Sequence, residues 1–148
     1  MSDRHRSSYN RLMNDLEETS SELLSLENAK DGATRNALAL RLAEAKRDGV
    51  DEVLVRLIQR PELANNRGTL VHALRHYDCA PHVALLADLV ITGGFEVAHE
   101  ALETIETIEH LESGDVRAAF EKVERALAND GLEDWRRPLL DDLWDKFD

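Results

Sequence analysis

The chain has little with which to cross-link, kink or flatten itself. One cysteine in 148 residues excludes an internal disulfide and fits a reducing compartment. Three prolines and seven glycines leave long stretches without a helix breaker. Aromatic residues are only 5% of the chain. No run of about 18 apolar residues occurs, so no membrane span is expected. The opening MSDRHRSSYNRLMNDLEE has no apolar core of the kind a secretory signal needs. These absences together set a cytoplasmic location as the expectation. Positive charge is also short: eighteen Lys and Arg against thirty Asp and Glu give a net charge of −12. Such a field repels nucleic acid, whose binding rests on neutralising phosphates with cations. It attracts a basic protein and speeds the encounter.

What is present is helical. Ala, Leu, Glu and Arg dominate, and a chain that is 43% hydrophobic and 32% charged is long enough for one domain, 1–148, with a real core. Apolar residues recur with helical spacing in segment after segment. The series are Leu12, Leu16, Leu23, Leu26; Ala37, Leu38, Leu40, Leu42, Ala45; Val53, Leu54, Leu57, Ile58; and Leu70, Ala73, Leu74, Tyr77. They continue with Val83, Leu85, Leu86, Leu89, Val90; Val97, Ala101, Ile105, Ile108; Val116, Ala119, Phe120, Val123, Leu127; and Leu139, Leu140, Leu143, Phe147. Turn chemistry separates them at Asp31-Gly32, Asp48-Gly49, Gly93-Gly94, Ser113-Gly114-Asp115 and Asp130-Gly131. Pro61 ends the third helix, and Pro81 suits the first turn of the fifth. Asp115 and Asp134 read as N-caps. No alternating run competes for a strand. The expectation is an all-α fold of about seven to eight helices.

The helices read as pairs: 16–30 with 33–47, 50–60 with 67–78, 81–92 with 95–110, and 115–129 with 134–147. Ala39-Leu40, Ala73-Leu74 and Ala101-Leu102 align at offsets of 34 and 28 residues. Stacked antiparallel pairs of this length are the mark of an α-solenoid. The stretch VALLADLVITGGFEVAHEALETIETI resembles a HEAT repeat through Val97, Ala101 and Leu102, with Ala98 standing where that family often has arginine. The resemblance implies a short HEAT-like α-α superhelix. A further block, NRGTLVHALRHYDCAPHVALLADLVITGGFEVAHEAL, resembles small acidic HEAT-like bacterial immunity proteins of polymorphic or contact-dependent toxin systems. Its cues are Arg67-Gly68-Thr69-Leu70, Ala73-Leu74, Cys79 and Gly94-Phe95-Glu96-Val97. That resemblance implies a non-enzymatic protein that binds and neutralises a cognate toxin, a basic domain such as a nuclease. The acidic charge and the lack of an apolar span set the expectation of no direct nucleic-acid or membrane partner, and the oligomeric state stays open. A general HEAT-like scaffold without a toxin partner is the alternative.

One stretch invites a different chemistry. HALRHYDCAPH, residues 72–82, carries His72, His76, Cys79 and His82. Histidines four apart share a helix face, and four such side chains in eleven residues raise the question of zinc. The spacing matches no common zinc signature, and the apolar stripe Leu70, Ala73, Leu74, Tyr77 turns His72 and His76 away from the core. The expectation is a helix–turn–helix corner with no metal and no cofactor, a zinc-dependent enzyme being the third alternative. Catalysis by Cys79 lacks an oxyanion-forming glycine turn, and an acidic setting raises a thiol pKa.

The sixth helix is more telling. With Val97, Ala101, Ile105 and Ile108 buried, Glu96, His99, Glu103, Glu106 and His110 face outward and Glu100 lies on the flank. In a HEAT-like stack these join His72 and His76 of the preceding pair, and Asp141, Asp142 and Asp145 of the last pair extend the strip. That set is the expected partner-binding face, an ordinary solvated face being the alternative. Trp135 and Trp144 fall on opposite sides of the last helix, so one is expected in the core and the other partly exposed.

Overall fold

The computed structural model describes residues 3–148. Among them are eight α-helices and no strand: α1 (Asp3–Glu27), α2 (Gly32–Glu44), α3 (Val50–Ile58), α4 (Gly68–Ala73), α5 (Val83–Thr92), α6 (Phe95–Glu106), α7 (Ser113–Leu127) and α8 (Arg136–Phe147). Single 3₁₀ turns occupy Pro61–Leu63, Leu74–His76 and Ala80–His82. The Asp48-Gly49, Gly93-Gly94 and Asp130-Gly131 breaks fall between helices, whereas Gly32 opens α2 and the expected break Ser113-Gly114-Asp115 forms the first turn of α7. Asp31 caps α2, its carboxylate accepting from the Thr34 amide at 2.8 Å and from the Thr34 hydroxyl at 2.9 Å. These bonds to the charged form hold the Asp31 carboxyl below its ordinary value. Gly49 takes the left-handed conformation, φ 84°, at the entry to α3, where a side chain would be strained. No described helix is long and apolar enough to cross a membrane.

Several expected boundaries move, each for a local reason. The first helix begins at Asp3 rather than near 16. Leu12 and Leu16, expected in the core, are 56% and 54% exposed, because α1 at 25 residues far overhangs the nine-residue α3 on which it packs. The expected helix 67–78 stops at Ala73 and tightens into a 3₁₀ turn. Tyr77 is extended, and its hydroxyl donates to the Arg47 carbonyl at 2.8 Å, which draws the chain away from the helix axis. The expected helix 95–110 ends at Glu106. The Thr104 hydroxyl donates to the Glu100 carbonyl at 2.8 Å and the Thr107 hydroxyl to the Thr104 carbonyl at 2.6 Å, so side chains compete for the helix's own acceptors. Asp115 sits inside the first turn of α7 and Asp134 before Trp135, so neither is the N-cap; Glu112 and Trp135 hold those positions. Pro81 lies in the 3₁₀ turn that precedes α5. Ala37 and Ala45 are exposed, the buried residues of α2 being Arg35, Ala39, Leu42 and Ala43.

The core is one continuous cluster running from Leu26 to Phe147. α1 packs on α2 and α3; α2 on α3 and α4; α3 and α6 on α4. α5 packs on α6, α7 and α8, and α8 also meets α6 and α7. α5 is the most apolar helix, and Val83, Leu86, Ala87, Leu89 and Val90 are all buried. Each such side chain stabilises the fold by roughly 1.5–3 kcal/mol relative to exposure, alanine by less.

The end of α5 is closed by a buried cation. Arg136, 6% exposed, donates through Nη1 to the Val90 carbonyl at 2.7 Å and through Nη2 to the Gly93 carbonyl at 2.8 Å. Its Nε donates to Glu133 at 2.9 Å, which holds the Glu133 carboxyl below its ordinary value. Gly93 is itself tight: a Cβ there would meet the Leu89 carbonyl oxygen at 2.5 Å. Replacing Arg136 with methionine keeps much of the length but leaves the two carbonyls without their charged donor. The expected cost is about 3 kcal/mol in urea unfolding. A loss below about 0.5 kcal/mol would show that the clamp contributes nothing.

Candidate functional site

The structure resolves HALRHYDCAPH into a corner whose polar atoms face different ways. The Cys79 thiol is buried and donates to the Leu74 carbonyl at 3.1 Å. His82 Nε2 lies 3.3 Å from Asp51 on α3. His72 turns toward α6. Among the described residues, no three His, Cys, Asp or Glu side chains are grouped as metal ligands. Burial, with Asp78 and Asp51 adding to it, pushes the Cys79 thiol up to about 11.

On α6 the buried residues are Val97, Ala98, Ala101, Leu102, Thr104 and Ile105. What remains outward is a narrow strip, 96–99–100–103–106, spaced as one helix face. Glu96, Glu103 and Glu106 are exposed, while His99 and Glu100 are half-buried. His110 is exposed but lies beyond the helix end. From α4 and its following turn, the structure brings His72 and an unforeseen residue, Arg75, against this strip. Arg75 Nη2 is bonded to the Glu100 carboxylate and donates to the Glu100 carbonyl at 3.1 Å, with Nε donating to the Thr104 hydroxyl at 3.0 Å. Glu103 lies 3.1 Å from the same guanidinium. Arg75 Nη1 is also 3.0 Å from His72 Nδ1. The Glu100 carboxylate lies 3.3 Å from the same ring nitrogen, so His72, Arg75 and Glu100 form one cluster. Glu100 is therefore satisfied within the chain, and the strip is less negative at its middle than its sequence implies. Glu96 and Glu106, at its two ends, lie beyond Arg75.

His76 is half-buried in the 3₁₀ turn. Asp141, Asp142 and Asp145 are exposed on α8, on the side away from its buried Leu139, Leu140, Leu143 and Phe147. The link from α8 to the α6 strip is made by Trp135 instead. Phe95 packs on His99 with ring centroids 4.2 Å apart, and Trp135 meets Phe95 edge-on at 5.2 Å and His99 at 6.1 Å. Neither tryptophan is fully buried, contrary to the expected division: Trp135 joins this patch and Trp144 packs on Phe120 at 4.2 Å. Phe95 remains 59% exposed. Its signal in the sequence was a large apolar residue four positions before His99, on the polar side of an otherwise sorted helix. Arg75 carried no such signal, because its role depends on the crossing of α4 and α6.

Beyond the other end of α6 lies a cavity of about 580 Å³ between the corner 75–81 and the connection 107–115. Asp78, Glu109, Glu112 and Asp115 line it together with His110, over a floor that includes Tyr77, Cys79 and Ile108. The face thus offers an aromatic end, a strip of carboxylates and an acidic hollow. Such a set suits cationic side chains carried on a protein surface, with a flat apolar contact beside them. No family model, no curated protein and no solved structure matches this chain.

The raised thiol fixes a pH dependence. Cys79 ionises less readily folded, at about 11, than its ordinary 9.0. Its contribution to stability is complete below pH 9 and is lost as pH rises through about 11. Tyr77, pushed up to about 12 chiefly by burial, loses its share at still higher pH. The unfolding midpoint in urea is expected to fall between pH 9 and 11, and Cys79→Ala to flatten that fall. An equally steep fall in Cys79→Ala would assign it to other groups.

Proposed function

We propose that this chain is a non-catalytic binding protein of the immunity type, one that captures a basic toxin domain on the α4–α6 face and occludes it. The observation that carries the reading is the pairing of exposed Phe95 with the carboxylates of α6. An apolar anchor beside charges of one sign is the composition of a specific contact rather than of a merely solvated helix. The net charge of −12 would steer a basic partner from a distance, and the desolvated centre would set the dissociation rate.

The same proposal takes the fold as a short HEAT-like stack. Its support is the order of packing: α2 on α4, α4 on α6 and α6 on α8, with α1 on α3 and α5 on α7 along the other side. A continuous run of alternate helices, α2, α4, α6 and α8, beside a second series that breaks between α3 and α5, is in keeping with stacked antiparallel pairs. In that arrangement α4, α6 and α8 contribute to one surface, and Glu96, His99, Glu103, Glu106, His72 and His76 belong to it. Asp141, Asp142 and Asp145 extend it along α8, and His110 joins it from the acidic hollow. Glu100 holds Arg75 in place and supports the face from behind.

The test is co-expression of the tagged chain with the product of the adjacent gene. The expected result is a one-to-one complex that weakens with salt, and rescue of growth from that product. Reversing Glu103 and Glu106 to lysine is expected to weaken the complex at least tenfold, mainly through a slower on-rate, and Phe95→Ala to cost about 1–2 kcal/mol through a faster off-rate. Full retention of binding by both variants would remove this face from the proposal. Absence of both complex and rescue would leave a general scaffold as the better reading.

A further inference from the structure

The largest unsatisfied feature lies away from that face, on the first sixteen described residues. Every residue from Asp3 to Glu18 is exposed. Tyr9, Leu12, Met13 and Leu16 are 55%, 56%, 38% and 54% exposed, and their i, i+3, i+4, i+7 spacing places them on one face of α1. Leu12 and Leu16 border the turn 45–48 without being covered by it. Toward its C-terminal end the helix is tied to the body. Leu26 is buried, Glu27 meets Arg56 at 2.9 Å, and Glu22 lies 3.6 Å from Arg47. A segment of this length with no buried face is marginal as an isolated helix in water. Its apolar stripe asks for a covering surface.

We propose that a second copy of this chain supplies it, through antiparallel pairing of the two α1 helices about the Leu12–Met13 level. The argument is charge complementarity. The first part of α1 holds Arg4, Arg6 and Arg11 against the one acid Asp3, whereas the remainder holds no Lys or Arg and, beyond Glu22 and Glu27 that meet arginines of the body, carries Asp15, Glu17 and Glu18. In a parallel pair arginines meet arginines, acids meet acids, and two strongly acidic bodies are brought side by side. In the antiparallel pair each basic tip lies along the acidic part of its mate, and the bodies are held at opposite ends. Around the stripe, Arg6 and Glu17 fall on the same flank, so Arg6 of each copy faces Glu17 of the other. Tyr9 then meets Leu16, and Leu12 meets Met13. α1 is about 37 Å long at 1.5 Å per residue, and one helix pair of this size lies at or below the lower end of specific interfaces, near 1,200 Å². The dimer is therefore a micromolar one. It leaves the α4–α6 face untouched, so it stands or falls apart from the binding role proposed above.

The test is sedimentation of the full chain from about 1 to about 500 µM, a range that spans micromolar dissociation. The unaltered chain is expected to pass from monomer to dimer. Leu12→Glu with Leu16→Glu is expected to abolish dimerisation with the body still folded, since neither side chain is buried, and the unfolding midpoint checks this. Arg6→Glu alone and Glu17→Arg alone are each expected to weaken the dimer about tenfold, and the two together to restore it. A monomer throughout the range would overturn the proposal. So would a dimer indifferent to the Leu12 and Leu16 changes, or a charge swap that fails to restore it. A monomer that instead binds vesicles of anionic lipid through α1 would assign the stripe to a membrane surface, and would equally overturn it.

Discussion

The ends of the helices constrain this structure as much as its apolar core does. The last carbonyls of an α-helix have no donor within the helix, and they carry the negative end of its dipole. Here the donors repeatedly come from side chains later in the chain. Arg35 donates to the Ala29 carbonyl just after α1 at 2.7 Å, and the Tyr77 hydroxyl to that of Arg47 after α2 at 2.8 Å. Arg67 reaches Ala64 at 3.1 Å and, more weakly, Ile58 at the end of α3 at 3.4 Å. Arg136 closes α5, and Lys146 donates to the Ile108 carbonyl after α6 at 3.0 Å. Each bond ties one helix end to a segment further along, so it fixes the relative placement of elements that apolar packing alone leaves free to slide. Arg136 is the most buried of these donors, and its bonds join the end of α5 to the start of α8.

This use of cations also shapes the surface. In a chain with eighteen bases and thirty acids, every arginine turned inward to a carbonyl leaves its charge less available to solvent, while the acids stay outside. Arg75 is the instructive case. It is half-buried between α4 and α6 and takes up Glu100, leaving Glu96 and Glu106 outward. The negative field that would steer a basic partner is thus concentrated at the ends of the α6 strip, one end beside Phe95 and the other beside the hollow lined by Glu109 and Glu112. The same inward turning explains why removal of a single arginine is a structural change first and an electrostatic one second.

The helices were legible in the sequence wherever burial and period agree. Val53, Leu54, Leu57 and Ile58 on α3, and Leu139, Leu140, Leu143 and Phe147 on α8, are buried as their spacing requires. The stripe on α1 had the same spacing, and Leu12 and Leu16 are nonetheless outside. Period reports that a face is apolar, not what covers it. Helix ends were read less well for a related reason. The stops at Ala73 and Glu106 depend on a hydroxyl-to-carbonyl bond from Tyr77 to Arg47 across thirty residues, and on two threonines diverting carbonyls within α6. In the candidate site, the acidic strip was visible as a helical face. Arg75 and the cluster of Phe95, His99 and Trp135 were not, because both arise from the crossing of elements far apart in sequence.

The two proposed surfaces differ in how charge enters. A basic partner on the α4–α6 face is drawn by the whole acidic chain, so salt screens an attraction and weakens the complex throughout. Pairing of two α1 helices works against the repulsion of two bodies of equal negative charge, and only the flanking Arg6 and Glu17 contacts are attractive. Salt screens both terms there. The long-range repulsion is lost first, because charges beyond a Debye length of about 10 Å are screened more completely than neighbours in contact. The apolar contacts of Tyr9, Leu12, Met13 and Leu16 persist under those conditions. Self-association through α1 is therefore compatible with salt that would dissolve a steered, acid-to-base complex, and a sequence with twelve excess negative charges can carry both because the basic start of α1 is exposed along its length.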